Sequence, residues 1–281
     1  MPSDPVAERW RNLFLQAVEP VAHHPLLLSG GMDSVTILVA QRALGHRPLC
    51  VAFTIGGQDN ADTRAARHAA DALDVPLDVV DLPRDVDRLA ADIRRLSRSL
   101  TGPPRKAVIQ CAQPVMWMAE HLAAAGHGDA LIGTGGIVED NRKCAILLHQ
   151  EGEDAARELR RTNLLNWHGS ATGAMIDVGA TFGVTLHQPY THQPFADYSL
   201  SLDMAEVNRP RQKGIAMRAF PEVFAKHPLW RPNQPLQIGT SLREWHNTLL
   251  DSPYNRRGSK AVIGVYRDLV KDVHDVASAT H

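Results

Sequence analysis

Six consecutive residues, Ser29-Gly30-Gly31-Met32-Asp33-Ser34, combine two glycines, two hydroxyls and one carboxylate. Glycines let a backbone pass close to a ligand, and the unpaired N–H groups at the start of a following helix favour an anion. Ser29 and Ser34 add hydroxyl donors, so the group suits a phosphate. Asp33 is the discordant member, because a carboxylate repels a phosphate unless a cation lies between them. A divalent ion, Mg²⁺, is the natural mediator. A tight strand-to-helix turn without a ligand is the simpler alternative, and the rest of the chain has to decide between them.

The flanking residues supply the elements that such a loop needs. Before it lies the apolar stretch His24-Pro25-Leu26-Leu27-Leu28. After it, Val35 to Gly45 has a helical pattern that ends on glycine. An amphipathic helix is predicted ahead of this unit over residues 6–19, with Trp10, Leu13, Phe14 and Val18 on one face. Further strands are predicted over 48–54, 76–82 and 129–134. Helices are predicted from about residue 60 to 73, over 86–99 and over 113–125, with Asn60 or Asp59 as a cap and a proline-rich loop at 101–106. Alternating strands and helices at this spacing give an α/β fold with right-handed crossovers, the four strands placed here belonging to an expected five-stranded parallel sheet flanked by helices. A mainly helical region follows, closed by a helix over 260–276. Residues 1–150 are expected to form the core that carries this loop, and 151–281 to complete the ligand site within one compact unit. Ligands in open sheets bind beyond the carboxyl ends of the strands, so loops 29–34, 53–59 and 133–140 should meet.

Composition narrows the function classes. The 281 residues are 44% hydrophobic and 22% charged, with a net charge of −1. Bulk charge therefore gives no support for nucleic-acid binding. The sequence has no signal peptide pattern and no apolar run near the ~20 residues needed to span a bilayer, which points to a cytoplasmic protein. Cys50, Cys111 and Cys144 are far apart and form no CxxC, so buried reduced thiols are expected. His187 and His192 flank Pro189-Tyr190-Thr191, but that spacing in a proline-containing loop matches no metal template.

The hexapeptide resembles the SGGxDS signature of the PP-loop ATP pyrophosphatases, and no GxxxxGK[ST] competes with it. Later segments resemble the synthetase domain of asparagine and β-lactam synthetases. Gly133-Thr134-Gly135-Gly136-Ile137-Val138-Glu139-Asp140 is similar to its glycine-rich acidic segment. Arg161-Thr162-Asn163-Leu164 is similar to its RxNL, and Pro194-Phe195-Ala196-Asp197 to its PFLD. Lys213 to Phe220 is similar to its KxxLRxAF helix, and Arg231-Pro232-Asn233-Gln234 to its RPKQ. The resemblance covers about residues 20–245. It implies an adenine nucleotide alpha hydrolase-like fold, ATP and Mg²⁺, with Ser29, Gly30, Gly31, Asp33 and Ser34 holding the phosphates. It also implies Asp33 and Asp140 (or its neighbour Glu139) on the metal, and adenine against strand-end backbone near Leu28, Phe53 and Gly133.

Two departures bear on the acceptor chemistry. The family's RPKQ lysine, which steadies charge as the acyl-adenylate forms and is attacked, falls at Asn233, and an amide cannot supply that charge. Lys213, Arg231, Lys143 and Lys106 are the candidates to replace it, Lys213 foremost because its helix is matched. The glutamate before PFLD falls near Tyr190 or Thr185, which leaves Tyr190 or Tyr198 as a proton relay. With only about 25 residues ahead of the first strand, too few for a domain, no glutaminase domain is expected before the loop. The expected partners are therefore a small-molecule or peptide carboxylate and a nitrogen nucleophile, with ammonia or an amine supplied free, within the substrate, or by a separate amidotransferase or other partner subunit. A homo-oligomer is also open. The implied reaction is ATP-dependent amide or C–N bond formation through an adenylated carboxylate, releasing AMP and pyrophosphate. Adenylation of a nucleobase or amide carbonyl, and a nucleotide-binding subunit without catalysis, are the alternatives.

Overall fold

The apolar stretch ahead of the glycine loop forms β1 (Leu26–Leu27), two buried residues at the centre of the sheet. The computed structural model describes residues 4–100, 105–135, 142–232 and 234–278. β2 (Cys50–Ile55), β3 (Leu77–Leu82), β4 (Asp129–Ile132) and β5 (Thr185–His187) complete a sheet in the order β3-β2-β1-β4-β5. Every pairing is parallel, with Leu26 opposite Cys50 on one side and Leu131 on the other. The chain therefore leaves β1 toward β2 and returns to its other side at β4. That reversal opens a crevice at the carboxyl end of β1. The predicted five-stranded parallel sheet is present.

In the first part of the chain the helices are α1 (Pro5–Val18), α2 (Met32–Ala43), α3 (Ala61–Ala72), α4 (Val86–Ser97) and α5 (Lys106–Ala124). Asp4, Asn60 and Asp85 cap α1, α3 and α4 through their side chains, as expected for Asn60. α5 starts seven residues earlier than its sequence pattern implies, and Pro114 lies inside it. An interior proline costs about 3 kcal/mol. Burial of Val108, Ile109, Ala112 and Val115 against the sheet offsets that cost.

The later part is mainly helical. α6 (Arg142–Glu151), α7 (Glu153–Leu165) and α8 (Ala171–Thr181) precede β5. α9 (Gln193–Ser201), α10 (Met204–Val207), α11 (Gly214–Ala219) and α12 (Pro221–Phe224) follow it, then α13 (Leu236–Gly239), α14 (Leu242–Asn247) and α15 (Val262–Ser278). β5 belongs to this part yet pairs with β4, so residues beyond 150 contribute to the same sheet. One apolar layer carries Trp10, Phe14, Tyr190 and Phe195 from α1 and the segment after β5, and the other carries α4, α5 and α15.

A buried polar chain joins α15 to α4. The His246 Nε2–H donates to Gln113 Oε1 at 2.8 Å, and His246 Nδ1 accepts from the Tyr266 hydroxyl at 2.5 Å. Gln113 and Trp117 then donate to Asp92 Oδ2 at 2.9 and 2.8 Å, and Arg88 donates to Oδ1 at 3.1 Å. These roles need a neutral imidazole, and burial pushes His246 down to about 3. A histidine free in the unfolded chain takes its proton near pH 6.5. The folded state therefore has its full advantage above about pH 6.5 and loses it as pH falls toward 3. In urea unfolding, His246→Leu is expected to lose about 2–3 kcal/mol at pH 7.5. Below pH 6.5 the gap to wild type should narrow by roughly 1.4 kcal/mol per pH unit.

Candidate active site

The loop between β1 and α2 is ordered by its own hydroxyls. The Ser29 amide donates to Ser34 Oγ at 3.2 Å, the two hydroxyl oxygens lie 3.1 Å apart, and Ser34 Oγ–H donates to the Gly31 carbonyl at 3.1 Å. The Gly31 amide donates to Ser29 Oγ at 3.3 Å. Gly30 has φ +68°, and a Cβ there would lie 2.5 Å from Ala65 Cβ on α3. Both the backbone conformation and the close approach therefore require glycine. α2 begins with Gly31 as N-cap and no side chain bonded to its first amides, which leaves an anion site at a helix start. Gly133, at the end of β4, packs so closely that a Cβ would lie 2.8 Å from the Ser34 amide nitrogen. Two of the three expected loops thus meet at the first turn of α2.

Distant residues fix that turn. Lys213 is 4% exposed, and its Nζ lies 2.5 Å from Asp33 Oδ2. Its backbone takes a left-handed conformation at φ +58°, with its amide held by Asn208 Oδ1 at 2.8 Å. Asp33 Oδ1 is also buried but has no hydrogen-bond partner. Tyr190 is fully buried, and its hydroxyl donates to the Asp33 backbone carbonyl at 2.8 Å. Burial first, and the Asp33 charge second, push this phenol well above its usual range.

Beside the loop lies a cavity with about 1050 Å³ of empty space, part of it open to solvent. Its lining combines polar groups of Ser29, Gly31, Asp33, Ser34, Lys213 and Arg231 with apolar side chains of Phe53, Val115, Met118, Ile132, Met175 and Leu236. A mixed lining of this kind suits a ligand with a charged and an apolar part. Arg231 Nη2 lies 2.6 Å from Asp62 Oδ1. Burial raises the Asp62 carboxyl above its usual range, and the Arg231 charge opposes that rise.

The structure gathers Ser29, Gly31, Asp33, Ser34, Phe53, Gly133, Lys213 and Arg231 around this one cavity. Gly30 lies behind the loop against α3, and Tyr190 lies behind α2. The Phe53 carbonyl already accepts from Thr63 Oγ1 at 2.6 Å and Asn60 Nδ2 at 3.3 Å. Asp140, Glu139 and Asn233 lie outside the described residues. Lys106 and Lys143 are exposed, and the Tyr198 hydroxyl donates to the Val6 carbonyl at 3.2 Å. Sequence reasoning missed Asp62, Met118 and Met175 as lining residues, because their helical patterns do not separate a cavity wall from a core face, and Gln212, which lies in a turn with no pattern to read. The three cysteines are buried, and burial raises the thiols of Cys50 and Cys111 to about 12.

A parallel sheet with a glycine-serine loop after its central strand, facing a cavity at the reversal point, defines an α/β protein with a ligand site at its topological switch point. Residues 10–136, a little under half of the chain, match the model of the asparagine synthase family. The match spans the loop and the first four strands. The matched family is one of ATP-dependent ligases. No curated protein matches the chain. Among the described residues no helix is long and apolar enough to cross a membrane.

Gly30→Ala tests the loop directly. The left-handed backbone and the contact with Ala65 are expected to cost about 2–4 kcal/mol in urea unfolding. Gly45→Ala, also at positive φ but with open space around it, should cost only about 1 kcal/mol.

Proposed function

We propose that the chain is an ATP-dependent, AMP-forming ligase that adenylates a carboxylate and passes the acyl group to a nitrogen nucleophile. The observation that carries this reading is the Asp33 carboxylate in the lining of the cavity. Lys213 holds one oxygen, and the other is buried without a partner beside an uncapped helix start. A buried carboxylate oxygen with no donor is expensive unless a cation takes it, so Asp33 fits a divalent ion. Asp33 would hold Mg²⁺, with Asp140 as the family's second carboxylate, and the ion would neutralise pyrophosphate charge. The amides at the start of α2 and the hydroxyls of Ser29 and Ser34 bind the β- and γ-phosphate oxygens. The apolar side chains of the lining take the adenine, with Phe53 and Gly133 at its edges.

In this reading a carboxylate oxygen of the substrate attacks the α-phosphorus, and the bond to the bridging oxygen breaks to release pyrophosphate. The nitrogen lone pair then attacks the acyl carbon, AMP departs with the acyl C–O electron pair, and the nitrogen loses a proton. Lys213 supplies the cation that Asn233 cannot, because its ammonium already sits among the phosphate-binding groups. Arg231 adds charge at the cavity mouth and is steered by Asp62. Tyr190 acts through the Asp33 backbone, so it is a positioning residue. The nitrogen comes from free ammonia, an amine, the substrate itself or a separate amidotransferase. Buried thiols suit a reducing cytoplasm.

ATP–pyrophosphate exchange with a panel of small and peptide carboxylates tests the proposal. Exchange should depend on the carboxylate. Asp33→Ala and Lys213→Met are each expected to lower it by about 10²–10³-fold. Tyr190→Phe should change it by less than about tenfold and act mainly on the KM for ATP. Full activity of Asp33→Ala would overturn the metal assignment. ATP binding without exchange under any carboxylate would identify a non-catalytic subunit.

A further inference from the structure

The amino-terminal end of the sheet, opposite the cavity, carries a second group of chemistry-bearing side chains. His24 precedes β1, Asp129 opens β4 and His187 ends β5. One ligand atom from each lies within 4.8 Å of the other two, the only such group among the described residues. His187 Nε2 is 2.8 Å from Asp129 Oδ1, and the His24 and His187 rings stack at 5.6 Å with planes only 8° apart. All three residues are partly exposed, so an ion can reach them from solvent.

We propose that His24, Asp129 and His187 form a site for a borderline divalent metal of the zinc class, three protein ligands with the remaining position open to water. Two imidazoles and one carboxylate are a donor set that such ions favour over magnesium or calcium. A tetrahedral ion with ligands at about 2.05 Å needs its ligand atoms about 3.3 Å apart. His187 and Asp129, at 2.8 Å, are slightly closer than that, and every ligand-atom separation in the group is at most 4.8 Å.

The backbone holds the ligands in place. The Gln41 amide of α2 donates to the His24 carbonyl at 3.0 Å, and the His24 amide donates to the Val21 carbonyl at 3.1 Å. Asp129 is paired in register with Thr185, two residues before His187. The other titratable groups facing the site are His23, with its ring 3.9 Å from that of His24, His46 beyond it and His127. A bound ion would tie the two-residue β1 to β4 and β5, at the end of the strand that leads into the phosphate loop.

The test uses the whole chain, stripped of metal, with Zn²⁺ and Co²⁺ as probes. Co²⁺ should bind once per chain and give the visible absorption of a four-coordinate nitrogen–oxygen site. Zn²⁺ should displace it and raise the melting temperature by about 5 °C at a hundredfold excess over Kd. His187→Ala, His24→Ala and Asp129→Asn are each expected to lower affinity at least about tenfold. Asp129→Asn keeps the side chain's shape and an acceptor for His187, so it separates loss of metal from loss of fold. His23→Ala should leave binding unchanged. Absence of stoichiometric binding, or affinity unaffected by His187→Ala and Asp129→Asn, overturns the proposal. Loss through His23→Ala with retention in His187→Ala does so equally.

Discussion

The ion pair between Lys213 and Asp33 is the constraint on which the candidate site depends. The two residues are 180 positions apart, and the lysine is almost completely removed from water. A buried ammonium is tolerated only with a carboxylate against it, and removing either partner would strand the other charge. The pair therefore fixes where the turn before α11 meets the first turn of α2. It also places a cation beside helix-start amides that favour anions. Asp33 keeps one oxygen in reserve, because Lys213 engages only the other.

Packing behind α2 serves the same geometry. Trp10 and Phe14 on α1 stack with ring centres 5.0 Å apart, and Phe14 lies 4.8 Å from Tyr190 and 5.0 Å from Phe195. This aromatic layer holds Tyr190 in the one position from which its hydroxyl reaches the Asp33 carbonyl. The first helix of the chain thus acts on the phosphate loop without touching the cavity. Aromatic packing of this kind sets position at little cost in flexibility, whereas loops carry the chemistry.

The sheet, its parallel sense and the loop after β1 were legible because local signals agree there. Glycines, a helix pattern and a short apolar run all point to one strand–loop–helix unit. β5 was not located in advance, since Thr185-Leu186-His187 is too short to show a period. The early turns of α5 were hidden by Pro114, whose penalty only tertiary burial reveals as tolerable. Lys213 was found as a cation of interest but not as the partner of Asp33, because a contact across 180 residues leaves no spacing to read. Likewise, His187 next to His192 suggested nothing in sequence. Its real neighbours, His24 and Asp129, are brought to it by strand register alone.

The two ends of β1 thereby carry different chemistry: a hydroxyl, amide and ammonium surface at the carboxyl end, and imidazoles with a carboxylate at the amino end. The central claim concerns the first, that Asp33 and the start of α2 bind ATP through a magnesium-bridged polyphosphate. Equilibrium titration of ATP into the whole chain at varied Mg²⁺ tests it most directly. The account predicts one ATP per chain, with affinity at least about tenfold higher in millimolar Mg²⁺ than in its absence. Absence of saturable ATP binding, or binding indifferent to Mg²⁺, would contradict it.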